Sequence, residues 1–191
     1  MRALLTTALL ATLALPAFAE TRTYKSDTGH TEVRFGWDHA GVTTQHGEFD
    51  NAEGILSIDT KDLSSAKLDV SISAASVSTG FEPLDKHVKS GDFLKADEHP
   101  TIRFVSTAVK QTSDTTADVE GEVTLRGVTI PATLQVELIH QGAHPTAKFI
   151  DYYKGDWLGF HAKAEIDTAP LGFAIPVGVL SFDIATEMKA E

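Results

Sequence analysis

Glu32-Val33-Arg34-Phe35-Gly36-Trp37-Asp38-His39 changes character at every residue. Successive side chains of a strand point to opposite faces. Val33, Phe35, Trp37 and His39 therefore share one face, and Glu32, Arg34 and Asp38 the other. The same two-residue period returns at Leu68/Val70/Ile72, Val119/Gly121/Val123/Leu125, Ile130/Ala132/Leu134/Val136/Leu138, Phe160/Ala162/Ala164/Ile166 and Leu180/Phe182/Ile184. Each segment reads as a strand with one apolar and one wet face. Many such strands with almost no helical pattern between them predict an all-β chain whose sheet is closed or sandwiched.

Eight candidate strands run near 23–40, 47–59, 66–77, 101–110, 117–126, 128–138, 158–167 and 179–188. Turn residues separate them: Gly41, Asn51, Gly54, Ser113-Asp114, Gly127, Gly142 to Pro145 and Pro170 to Gly172. Arg126-Gly127 reads as a tight antiparallel hairpin, because glycine reaches positive φ at no steric cost. Pro131 interrupts a strand pattern and points to a bulged stretch after that hairpin. Eight strands closed on themselves leave an interior that side chains just fill, or that holds one small ligand. The segment from Phe81 to Pro100 breaks the two-residue period. Leu84 and Val88 stand four apart and Leu84 and His87 three apart, which predicts a short amphipathic helix around Pro83–Ser90, ended by Gly91 and capping one barrel mouth, with Phe93 and Leu94 inserting into the body after it. No Pro- or Ser-rich linker divides the chain, so residues 20–191 read as one domain.

The first 19 residues have a different use. Arg2 precedes an apolar run from Ala3 to Leu15 and a small-x-small site at Ala17-Phe18-Ala19. This is the pattern of a secretory signal peptide cleaved after Ala19, and the run is short for a membrane span. Export to a Gram-negative periplasm follows as the expected location. Net charge is −11, a surface that repels nucleic acid and anionic membranes. The chain has no cysteine, hence no disulfide, thiol chemistry or thiolate metal site.

Catalytic patterns are missing. There is no His-Glu-x-x-His, no Gly-x-Ser-x-Gly elbow and no phosphate-cradling glycine loop after a strand. His30, His39, His46, His87, His99, His140, His144 and His161 are scattered, and no metal site is expected from their spacing. A non-enzyme is the expectation. The inward-parity aromatics fit either a filled core or an apolar cavity, and periodicity alone does not separate the two.

Ordered motifs then carry a resemblance. Val33-Arg34-Phe35-Gly36-Trp37-Asp38-His39, Gly47-Glu48-Phe49 and Gly54-Ile55-Leu56-Ser57-Ile58-Asp59 are similar to the opening of the YceI-like, polyisoprenoid-binding proteins. Asp85-Lys86-His87-Val88-Lys89-Ser90-Gly91-Asp92-Phe93-Leu94 and His99-Pro100-Thr101-Ile102-Arg103-Phe104 resemble that family's central signature. Val119 to Thr129 matches its hairpin, and Gly159-Phe160-His161-Ala162 its late strand. One departure is the loop Asp167 to Pro176, which is more apolar than the family pattern.

The resemblance implies a lipocalin-like, eight-stranded antiparallel barrel with a helical segment near 82–97. It further implies a periplasmic, non-catalytic carrier or sequestering protein, possible as a homodimer. The implied ligand is an isoprenoid quinone, a polyprenyl lipid or a fatty acid derivative, with no covalent cofactor. On that reading the apolar lining falls to Phe35, Trp37, Phe49, Val70, Ile72, Phe104, Val123, Leu134, Phe160 and Phe182. His39 and His87 stand at a polar end or pin the helical segment. The alternative is an interaction module, a filled barrel whose outside docks an electron-transfer or stress-response partner.

Overall fold

The structure is a computed structural model describing residues 21–59 and 62–191. The signal peptide read at residues 1–19 lies outside these residues. The strands are β1 (Thr21–His39), β2 (Thr43–Phe49), β3 (Ala52–Asp59), β4 (Asp62–Ser73), β5 (Val77–Ser78), β6 (Thr101–Gln111), β7 (Thr116–Leu125), β8 (Val128–Ala143), β9 (Asp156–Asp167) and β10 (Val179–Ala190). One helix, α1 (Glu82–Lys89), lies between β5 and β6. Neighbours run β10-β9-β8-β7-β6-β4-β3-β1, and β1 pairs back onto β10. All pairings are antiparallel. Eight strands thus close a barrel, and closure leaves no long free edge. The short strands β2 and β5 extend one lip of it.

Inward and outward parity follow the sequence. Val33 and Phe35 are buried while Glu32, Arg34 and Asp38 are exposed. The predicted strand over 47–59 is corrected: it is two strands, broken at Asp50-Asn51. β2 pairs with the second half of β1 (Val33 opposite Phe49) and β3 with the first (Lys25 opposite Ile55). The break answers an excursion in β1. Against β10, Ser26 faces Met188 and Thr31 faces Thr186, so Asp27 to His30 are accommodated opposite Glu187 alone. Asp27 holds that bulge, its Oδ1 accepting from Gly29 N at 3.0 Å and its carbonyl from Thr31 Oγ1 at 2.7 Å. At the break itself, Asp50 N donates to Ser76 O at 3.2 Å and Ser73 N to Asn51 O at 2.9 Å, which satisfies the backbone groups the ladder releases.

Arg126 and Gly127 have φ of 55° and 77°, and Leu125 faces Val128 across them. This is the two-residue hairpin read from the sequence. The bulge expected after it is absent, because β7 and β8 stay in register from Val128 to Glu137. Pro131 is tolerated for another reason. Pairing of β8 with β9 starts only at Gln135, so Pro131 sits where β8 is laddered on one edge.

The helix starts with Pro83 in its first turn, where no N–H is needed. Acidic Glu82 and Asp85 lie in its first turn and Lys86, His87 and Lys89 in its last, in keeping with the helix dipole. It stops at Lys89, one residue before the Ser90 end expected from the sequence pattern. From there Leu94 N bonds Val88 O at 2.9 Å and Ala96 N bonds Lys89 O at 2.9 Å. These turns bury Leu94 and Ala96 against the barrel. The β1–β2 hairpin, α1, the β7–β8 turn and the 168–178 loop share one barrel end, the helix end. The β3–β4, β6–β7 and β8–β9 connections share the far end.

Candidate functional site

The inward faces of the strands do not meet in the middle. They enclose a cavity of about 740 Å³. It runs from Leu63, Thr116 and Gln141 near the far end to Leu84, Val88 and Ile175 at the helix end. Leu134, Val136, Phe160 and Phe182 point inward yet are only half-buried, because their free surface faces this space. Small side chains keep the lumen wide: Ala132, Ala162 and Ala164 stand on the β8–β9 wall, where a filled barrel would need bulk.

Two rings lie flat along the wall instead of projecting across the lumen. A Cβ added at Gly47 would stand 2.6 Å from Phe35 Cζ, and one at Gly121 would stand 2.5 Å from Phe104 Cζ. Each glycine, on the neighbouring strand, therefore provides the bed on which a phenylalanine lies. Phe35 further stacks on Trp37 at 5.8 Å and packs against Phe49 at 5.2 Å and Phe182 at 6.2 Å between ring centres.

Polar groups are sparse along the lumen and gather towards its ends. At the helix end they are Asp38, His39, Gln45 and His87. His39 is exposed at the tip of β1. His87 does two things at once: it faces the cavity, and its Nε2 lies 3.0 Å from Asp92 Oδ2. Asp92 O in turn accepts from Ala174 N at 2.8 Å. Arg126 Nη1 donates to Phe93 O at 2.6 Å, and Phe93 meets Phe173 edge-on at 5.5 Å. The helical segment and the 168–178 loop are thereby tied to each other and to the rim. The root of α1 is fixed by Asp85, whose Oδ1 accepts from Thr79 N at 2.7 Å and Thr79 Oγ1 at 2.6 Å. The Thr79 hydroxyl bond outweighs burial and holds the Asp85 carboxyl below its ordinary 3.8.

The structure brings together on the cavity wall all ten residues that the sequence reading set inward: Phe35, Trp37, Phe49, Val70, Ile72, Phe104, Val123, Leu134, Phe160 and Phe182. His39 and His87 join them at one mouth. Phe93 and Leu94, expected to insert into the body, line it too, but sequence reasoning missed Phe173, Ile175 and Pro176. The unusually apolar 167–176 loop was the available signal, since a solvated loop has no need of such residues. His140, beyond the predicted strand end at 138, lies within β8.

Known proteins share this arrangement. The sequence profile of the YceI-like domain matches residues 24–190. A UPF0312 protein of Pseudomonas aeruginosa PAO1 is 34% identical over 162 residues, 85% of this chain and 81% of the relative. Protein YceI of Shigella flexneri is 33% identical over the same shares. Among solved structures, Burkholderia cenocepacia BcnA superposes with a TM-score of 0.70 at 17% identity, covering 85% of this chain and 98% of that one. A polyisoprenoid binding domain from Saccharophagus degradans, implicated in plant cell wall breakdown, superposes at 0.60 and 12% identity over 90% and 100%. Barrel, helical cap and sequence profile coincide over nearly the whole described chain, and the chain belongs to the YceI-like domain family.

Proposed function

We propose that this protein binds the chain of an amphiphilic lipid inside its barrel and carries or sequesters it in the periplasm, without chemistry on the ligand. The observation behind the reading is the lumen: about 740 Å³, apolar along its length, with polar groups concentrated at its ends. That volume lies within the roughly 300–1,000 Å³ usual for small-molecule sites. A hydrocarbon tail suits such a space, each buried CH₂ contributing about 0.8 kcal/mol before ordering costs. The head group would rest at the helix end, where His39, His87 and Gln45 offer hydrogen bonds. The shared fold with a polyisoprenoid binding domain supports an isoprenoid tail, as in a quinone or polyprenyl lipid, with a fatty acid derivative as the related choice. The filled barrel of the interaction-module reading does not describe this lumen.

Organic extraction of natively purified protein, followed by mass spectrometry, tests the reading. A long-chain lipid or quinone released near one per protein is the expected result. Repeated preparations that release none, and that take up no added isoprenoid, would remove it.

A further inference from the structure

The scattered histidines do converge in one place, and it is outside the lumen. Thr186 and Met188 line the cavity, so Glu187 between them points to the outer face of β10. Opposite Glu187, β1 bulges by the four residues Asp27 to His30. Bulges re-aim side chains, and this one turns Asp27 and His30 towards Glu187. A nitrogen of His30 and carboxylate oxygens of Asp27 and Glu187 all lie within 4.8 Å of one another. Among the described residues the ion-pair partners of both carboxylates are imidazoles, not Lys or Arg. His30 Nδ1 stands 2.9 Å from Asp27 Oδ2, and His144 Nε2 stands 3.2 Å from Glu187 Oε2. Lys25 and Lys189 line the cleft beside Asp27, but neither is within ion-pair distance of Asp27 or Glu187.

We propose that Asp27, His30 and Glu187 form a binding site for a divalent first-row transition-metal ion on the outer wall of the barrel. One imidazole with two carboxylates is a ligand set for such an ion rather than for Mg²⁺ or Ca²⁺, which favour all-oxygen shells. Outer hydrogen bonds already orient the ligands, as metal sites require. Tyr152 bonds Asp27. His144 accepts from Thr146 N at its Nδ1, at 3.1 Å, so the neutral ring keeps its proton on Nε2 and donates it to Glu187. His144 is thus a positioning residue and not a ligand. Lys189 directs its ammonium to Tyr152 O and over the Tyr152 and Trp157 rings, at 4.8 and 5.4 Å from their centres. Access is open on one side: the Asp27 side chain is 9% exposed, while those of His30 and Glu187 are 49% and 37% exposed.

The site is separate from lipid binding, and its test reads metal directly. Tag-free protein stripped with a chelator is titrated with Zn²⁺ alone, by calorimetry and by equilibrium dialysis. One tightly held equivalent is expected. Affinity should fall at least about tenfold in Asp27→Asn, His30→Ala and Glu187→Gln, and also in His144→Ala through loss of orientation. His46→Ala and His161→Ala, on exposed strand positions elsewhere, should leave it unchanged. Because Glu187→Gln keeps shape and volume, thermal unfolding supplies a second reading. At a hundredfold excess over Kd, Zn²⁺ should raise Tm of the unaltered protein by on the order of 5–10 °C and that of Glu187→Gln by much less. Absence of a stoichiometric Zn²⁺, equal affinity in all variants, loss on replacing His46 or His161, or preference for Ca²⁺ would each overturn the proposal.

Discussion

Phe104 and Gly121 show how a single contact shapes the lumen. The ring lies across the glycine of the next strand, and a Cβ there would meet Phe104 Cζ and the Val105 carbonyl oxygen, both at 2.5 Å. The ring could swing into the cavity, but the carbonyl is part of the ladder and cannot yield as cheaply. Gly121→Ala should therefore destabilise the fold by about 1–3 kcal/mol, an overpacking cost. Thermal unfolding should show Tm lowered by roughly 2–4 °C for each of those kcal/mol. An unchanged Tm would mean that the wall is looser than these distances state. Charge at the same place gives a different outcome. Phe104→Asp sets a carboxylate with no partner against an apolar lumen, a costly burial. It should cut recovered lipid several-fold, whereas Lys67→Glu on the wet face should not; equal recovery would take the ligand out of the lumen. The inward position of Phe104 was legible from two-residue alternation. Its dependence on Gly121 was not, because that requires the register between two strands, which no single strand encodes.

Elements differ in how openly the sequence announces them. The strand cores did so plainly, since one buried face forces strict alternation. The helix was legible from Leu84, His87 and Val88, and all three do face the cavity. What fixes the helix was hidden: Asp85 looks like any solvated helix carboxylate until the fold brings Thr79 to it. The β2–β3 break was also hidden, because its cause is the excursion at Asp27 to His30 in a different strand. A prediction follows for the cap. Asp85 has its pKa lowered in the folded protein, so its contribution is complete above the ordinary 3.8 and is lost as pH falls through the lower folded value. Asp85→Asn weakens a charge-assisted bond to a backbone N–H, worth about 1 kcal/mol at this half-buried site. At neutral pH its α1 amides should exchange with solvent several-fold faster than in the unaltered protein, with the barrel amides unaffected. Below pH about 3.8 the difference should close, the unaltered protein moving towards the variant. A difference that persists or widens on acidification would show that another group anchors the cap.

At the scale of the whole molecule the question is why a chain with so much apolar surface leaves its centre unfilled. Closure by eight strands fixes a radius, and side-chain size then decides whether the interior is packed or open. Periodicity reports which way residues point but not how far they reach, so hollowness could not be read from alternation. A hint lay in residue size. Ala132, Ala162 and Ala164 hold inward positions on adjoining strands, and β-branched or aromatic residues there would have closed the gap. Ala164 faces Phe182 across the β9–β10 ladder, deep inside the barrel. Replacing it with tryptophan adds a large ring to space that is already open, so overpacking strain is limited to its nearest neighbours. Ala164→Trp should keep the β-sheet circular dichroism and cooperative unfolding of the parent while lowering bound lipid several-fold. Thr133→Trp, one step from Ala132 but on the exposed face, is the matched control and should carry as much as the parent. The comparison isolates volume from chemistry, since both variants gain the same side chain. If the plugged barrel loads as fully as the control, the tail binds somewhere other than the space between the strands.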